Sequence, residues 1–93
     1  MAIEITHVRY GSTPRTESTI THYKWRSLST GGVDSSTKAV LVDWIDNKGG
    51  KAYVGSGVSR VDVGVVRPAQ GAPYLRTHAD GKWTNNLLSL PEF

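Results

Sequence analysis

The residues of this chain best suited to metal or proton chemistry are His7, His22 and His78, and no two of them stand at the local spacing of a zinc site. A metal would need all three to converge, or a carboxylate to join two of them, so separate histidines are the plainer reading and no metal site is expected. Gly55-Ser56-Gly57-Val58-Ser59-Arg60 invites comparison with a dinucleotide loop. Arg60 occupies the place of the third glycine, however, and the residues after it read as strand, which leaves no helix N-terminus to hold a pyrophosphate. There is no Gly-x-Ser-x-Gly elbow and no cysteine, and Asp43 and Asp46 share a predicted helix with their carboxylates toward solvent. The chain therefore offers no catalytic residue and no cofactor motif, and an enzyme of unknown class ranks third among its readings.

A set of rings and cations near the end of the chain is the better candidate. Asp80-Gly81 has the residue types of a type I′ turn, which predicts a hairpin pairing Ala79 with Lys82, His78 with Trp83 and Thr77 with Thr84. Leu75, Thr77, Ala79 and Thr84 then share one face of the ribbon. Tyr74, Arg76, His78 and Trp83 share the other. With Leu75 and Thr77 inward, the second set forms an outward patch of stacking surfaces and donors, which Trp25, Arg26 and Lys24 extend if the second strand lies close by. Rings stack on bases and arginine pairs with phosphate, so such a face suits a nucleotide-like anion, single-stranded nucleic acid or a protein. The competing structural expectation packs Trp83 under the Leu87-Leu88-Leu90-Phe93 tail and gives Arg76 a surface ion pair.

Tyr74-Leu75-Arg76-Thr77, a short Asp-Gly turn and Asn86-Leu87-Leu88-Ser89-Leu90-Pro91 resemble the C-terminal pattern of a small bacterial domain family of unknown function (DUF3892-like). Ile5-Thr6-His7-Val8-Arg9 and Val40-Leu41-Val42-Asp43-Trp44-Ile45 are similar to that family's other two recurrent blocks. The resemblance departs at Asn85, where an acidic residue is expected. It implies an organisation for most of the chain and no activity.

Composition bounds the rest. Ninety-three residues suit one domain spanning 1–93, and 38% hydrophobic with 20% charged residues is the balance of a soluble globular protein. No apolar run is long enough for a membrane span, and the N-terminus lacks the basic start and apolar block of an export signal, which together predict a cytoplasmic protein and no membrane partner. The net charge of +3 permits a weak polyanion surface without demanding one.

The elements that must position the patch follow from periodicity. Ala2 to Arg9 alternates strictly, with Ile3, Ile5 and His7 on one face and Glu4, Thr6 and Val8 on the other. Thr19 to Leu28 is a second strand whose core face is Thr19, Tyr23 and Trp25, with Ile20 out of phase. Asp34 or Ser35 caps a helix whose apolar stripe is Val40, Leu41, Trp44 and Ile45, and whose end is Gly49-Gly50. Lys51 to Val54, Arg60 to Arg67 and the final hairpin are strands, and no internal repeat is evident. The expected fold is α+β, an antiparallel sheet of about five strands with one helix on one face, in the order β-β-α-β-β-β. Trp44, Ile45, Val61, Val63 and Leu75 form its expected core. The leading functional expectation is a non-catalytic binding module of bacterial or phage origin that captures an anionic small ligand or a protein partner, with a homo-oligomer as one arrangement. A weak nucleic-acid binder is the alternative.

Overall fold

The computed structural model describes residues 2–55, 60–79, 82–84 and 86–93, with Lys82 described in its backbone only. The predicted Asp80-Gly81 turn, the loop around Ser56 and Gly57, and Asn85 lie outside the described residues. Among these residues, seven strands and one α-helix follow in the order β1 (Ala2–Tyr10), β2 (Ile20–Ser27), β3 (Val33–Thr37), α1 (Lys38–Lys48), β4 (Lys51–Val54), β5 (Val61–Val66), β6 (Tyr74–Ala79) and β7 (Lys82–Thr84). The described residues also include two 3₁₀ turns, Glu17–Thr19 and Asn86–Ser89. The strands form one sheet ordered β3-β2-β1-β4-β5-β6-β7.

The α+β class holds, but the sheet is larger than expected and mixed. Val33–Thr37 is a strand on the β2 edge where the sequence reads as a helix cap. The helix starts later, with Thr37 as its N-cap accepting a hydrogen bond from the Val40 amide at 3.3 Å, so Asp34 and Ser35 belong to β3. The helix ends at Gly49 as predicted, in a left-handed conformation with φ 70° that a side chain disfavours. Because α1 carries the chain from the β3 edge to the far side of β1, β4 arrives parallel to β1. A crossover of this kind leaves no local sequence mark.

Two β-bulges correct the expected strand faces. Thr6 is an extra residue on β1, between the pairs Ile5–Trp25 and His7–Lys24, and Thr21 is an extra residue on β2, between Arg9–His22 and Tyr10–Ile20. Each shifts the alternation by one. Val8 therefore joins Ile3 and Ile5 in the core while His7 turns outward, and Ile20 comes into phase with Tyr23. The core consists of Ile3, Ile5, Val8, Ile20 and Tyr23 with Leu41, Val42, Ala52, Val54, Val63, Leu75 and Leu87. Of the expected core, Val63 and Leu75 are buried, Trp44 and Ile45 pack partly against it, and Val61 is half-buried. The helix stripe is shifted toward Val42, leaving Val40 exposed.

The apolar tail folds onto its own chain. Leu87 is fully buried, Leu88 and Leu90 pack on the core, and the amides of Val8 and Phe93 bond the carbonyls of Pro91 and Val8 at 3.0 and 3.2 Å. The tail thereby occupies the stretch of β1 beyond its pairing with β4. This protects an edge that is otherwise open to another chain.

Candidate functional site

The predicted register of the last hairpin is the observed one: Thr77 opposite Thr84, His78 opposite Trp83 and Ala79 opposite Lys82. Leu75 and Thr77 are fully buried, whereas Trp83 is 47% exposed. The inward side is locked by hydrogen bonds as well as apolar contact. Thr77 Oγ1 lies 2.6 Å from Thr84 Oγ1, and it accepts from the Asn86 amide at 3.1 Å. A hydroxyl buried without such partners would cost stability, so Thr77 pins the chain segment that follows β7.

On the outward side, the imidazole of His78 and the indole of Trp83 meet edge to face, with ring centroids 5.4 Å apart and planes at 78°. The indole extends over Gly64 of β5, where a Cβ would approach its Cη2 to 3.2 Å. A glycine in mid-strand gives up packing, and here its missing side chain leaves the ring room to lie on the sheet. The competing expectation for Trp83 therefore fails: the tail covers the core and the Trp83 ring lies beside His78 and Gly64.

The pairings place Trp83, His78, Asp62, Tyr53, Glu4 and Arg26 in one lateral row across β7, β6, β5, β4, β1 and β2. Arg60 lies over the Tyr53 ring at 4.1 Å, adding a cation beside the middle of this row. Its two ends are five strand spacings apart, roughly 24 Å on a flat sheet at about 4.8 Å per step. One small ligand does not bridge them. Arg26 is moreover bound to Glu4 at 2.8 Å.

The remaining predicted residues have other settings. Arg76 is half-buried, donates from Nε to the Thr84 carbonyl at 3.1 Å, and stands 3.6 Å from the carboxylate of buried Glu17. It fastens the hairpin to the turn between β1 and β2. Tyr74 borders a hollow with Ser18, Lys38 and Gln70. Trp25 lies on the helix side of the sheet, opposite Ile5, and donates to Ser36 Oγ at 3.1 Å. There it lines a cleft of about 430 Å³ with Ile3, Leu41 and Trp44, so it does not extend the patch. The structure thus groups His78 and Trp83, keeps Tyr74 and Arg76 along the same side of β6, and separates Trp25 and Arg26 from them.

Sequence reasoning missed Asp62, Tyr53, Arg60 and Gly64. The alternation of β5 placed Asp62 and Gly64 on one face, but only the order β4-β5-β6 brings that face beside His78. Among the described residues, no three histidine or carboxylate side chains are grouped to hold a metal ion. Among the same residues, no helix is long and apolar enough to cross a membrane.

The sequence model of the family described as "Protein of unknown function (DUF3892)" matches residues 4–91. The chain belongs to that family. No curated protein and no solved structure matches it. The DUF3892 match spans β1 through the tail pairing on β1, so all seven strands and the whole Trp83 row fall within or at the border of the matched segment.

Proposed function

We propose that this chain is a non-catalytic binding module that captures a ligand combining a flat ring with negative charge, such as a nucleotide, on the face formed by Trp83, His78, Gly64, Asp62, Tyr53 and Arg60. The observation that supports this reading most directly is the Trp83 indole, almost half exposed and laid over a glycine beside His78. A ring of the ligand stacks on the indole, which gains about 1–3 kcal/mol per base where such stacking has been measured by substitution. The Asp62 carboxylate accepts from a base amino group. Arg60, stacked on Tyr53, supplies the positive charge for the anionic part.

The reading carries with it a bacterial or phage origin and a cytoplasmic setting, both drawn from the sequence. A protein partner, a second copy of this chain included, is the competing occupant of the same face, and single-stranded nucleic acid is the weaker one. Thermal denaturation with a panel of nucleotides tests the proposal. A bound nucleotide raises the midpoint with a mass-action dependence on its concentration, and Trp83→Ala abolishes the rise. An unchanged midpoint for every nucleotide removes the small-ligand reading. Affinity for single strands that falls steeply with salt favours nucleic acid instead.

A further inference from the structure

Strands β1 and β2 carry one six-residue pattern twice, Ile5-Thr6-His7-Val8-Arg9-Tyr10 and Ile20-Thr21-His22-Tyr23-Lys24-Trp25, a short repeat that becomes evident only once the two strands are paired. The register arranges the copies about a local two-fold axis through the Val8–Tyr23 pair: Ile5 faces Trp25, His7 faces Lys24, Arg9 faces His22 and Tyr10 faces Ile20. Val8 and Tyr23 are fully buried. Alternation therefore turns His7, Arg9, His22 and Lys24 to the other side of the sheet, where they form a two-by-two array.

The bulge threonines fix the histidines in that array. Thr6 Oγ1 donates to the Lys24 carbonyl at 3.2 Å and lies 2.9 Å from His7 Nδ1. Thr21 Oγ1 donates to the Arg9 carbonyl at 3.3 Å and lies 2.9 Å from His22 Nδ1. A hydroxyl has a single proton. With that proton on a carbonyl, each hydroxyl accepts from the ring, so Nδ1 carries the hydrogen and Nε2 is left for a visitor. In the neutral ring Nε2 is an acceptor; in the protonated ring it becomes a second donor.

The charged neighbours are arranged for an anion. Lys24 has no ion-pair partner among the described residues. Arg9 binds the Phe93 carbonyl through Nε at 2.9 Å and lies 4.5 Å from the Phe93 ring, which leaves its two terminal nitrogens. The Phe93 ring also meets His7 edge to face at 6.4 Å, walling one side of the array. Glu4, the carboxylate on this face of β1, is held by Arg26. The groups nearest the two imidazoles are thus Arg9 from β1, Lys24 from β2 and, from the tail, the Phe93 ring with the main-chain oxygen that Arg9 binds, and Glu92 opposite Val8, whose carboxylate is paired with Arg15 at 3.0 Å.

We infer that His7, Arg9, His22 and Lys24 form a binding site for a tetrahedral oxyanion of the phosphate class, separate from the Trp83 face and independent of the function proposed for it. Arg9 and Lys24 supply fixed charge, and the two histidines add Nε2–H donors when protonated, giving short charge-assisted hydrogen bonds. The site strengthens in acid because neutral imidazoles present lone pairs to the anion.

Calorimetric titration of the full chain with sodium sulfate, whose charge is constant over the range, tests the site at about pH 5.5 and about pH 8. The expected result is saturable binding in acid that weakens about tenfold or more at the higher pH, in Arg9→Gln/Lys24→Gln, and in His7→Asn/His22→Asn, since each change removes charge-assisted hydrogen bonds. Asparagine keeps a donor for the threonine hydroxyl and has nothing in place of Nε2. Where a double variant fails to fold, Lys24→Gln alone makes the comparison. Trp83→Ala leaves sulfate binding unchanged, which separates this site from the other. Absence of binding in acid, or equal affinity in the Lys24 variant, overturns the inference. Repeating the titration with adenosine monophosphate and with a short single-stranded oligonucleotide identifies the source of the phosphate by whichever competes better with sulfate.

Discussion

The indole of Trp83 occupies the space above Gly64 that a side chain at that position would fill, coming within 3.2 Å of where its Cβ would stand. The two residues are on different strands separated by β6. The relationship makes Gly64 a positional requirement of the ring, because mid-strand glycine otherwise weakens a sheet.

Gly64→Val separates the function of the ring from the stability of the sheet. Valine suits a strand, so the fold tolerates it to within about 1 kcal/mol. The indole must move. The expected outcome is an altered Trp83 fluorescence signal and weaker nucleotide binding at nearly unchanged stability, measured by urea denaturation and ligand titration on the same sample.

Leu75→Ala and Trp83→Ala should differ in the opposite sense. Leu75 is fully buried, and its truncation should cost about 2–5 kcal/mol through lost transfer energy and a residual cavity. Trp83 is on the surface. Its removal should cost no more than about 1 kcal/mol. Chemical denaturation of the two variants gives both values, and a larger loss for Trp83→Ala would place the ring in the stabilising core.

Thr77→Val tests the lock on the segment after β7. Valine keeps the shape but strands the Asn86 amide and the Thr84 hydroxyl, both now bonded to Thr77 Oγ1. A loss of about 1–3 kcal/mol is expected from the unsatisfied groups. Amide exchange at Asn86 should speed up together with it.

Tyr23 gives the chain an alkaline limit. Its hydroxyl is buried against the backbone of Leu75, and it has no hydrogen bond of full geometry. Burial raises its pKa well above the ordinary value of 10.0, with backbone contact at Leu75 opposing and Glu17 adding to the rise. An acid with a raised folded pKa contributes stability below its unfolded pKa and loses it as pH climbs from there toward the folded value. Stability measured by denaturant should therefore decline above about pH 10. Tyr23→Phe should flatten that decline and cost little at neutral pH, since it removes a hydroxyl that lacks a proper partner.

Most of the local order was legible in the sequence. The alternation of β5, the helix stop at Gly49 and the hairpin register all rest on short-range chemistry and were read from it. The misreadings have two physical sources. One is the bulge, since a single extra residue at Thr6 or Thr21 reverses every later face while leaving the composition of the strand unchanged. The other is the crossover through α1, which decides that β4 lies beside β1 and so which faces share a row. Arg76 shows the limit for the site. Its outward position on β6 was predictable, but its contact with Glu17 depends on how a distant turn packs.

Nitrogen-resolved NMR of the three indole N–H groups during titration with a nucleotide tests the central claim most directly, because Trp25 and Trp44 line the helix-side cleft and serve as internal controls. A nucleotide bound at the Trp83 face gives a saturable shift of the Trp83 resonance, lost in Gly64→Val, with Trp25 and Trp44 unmoved. A shift confined to Trp25 and Trp44, or no shift at saturating nucleotide, would contradict it.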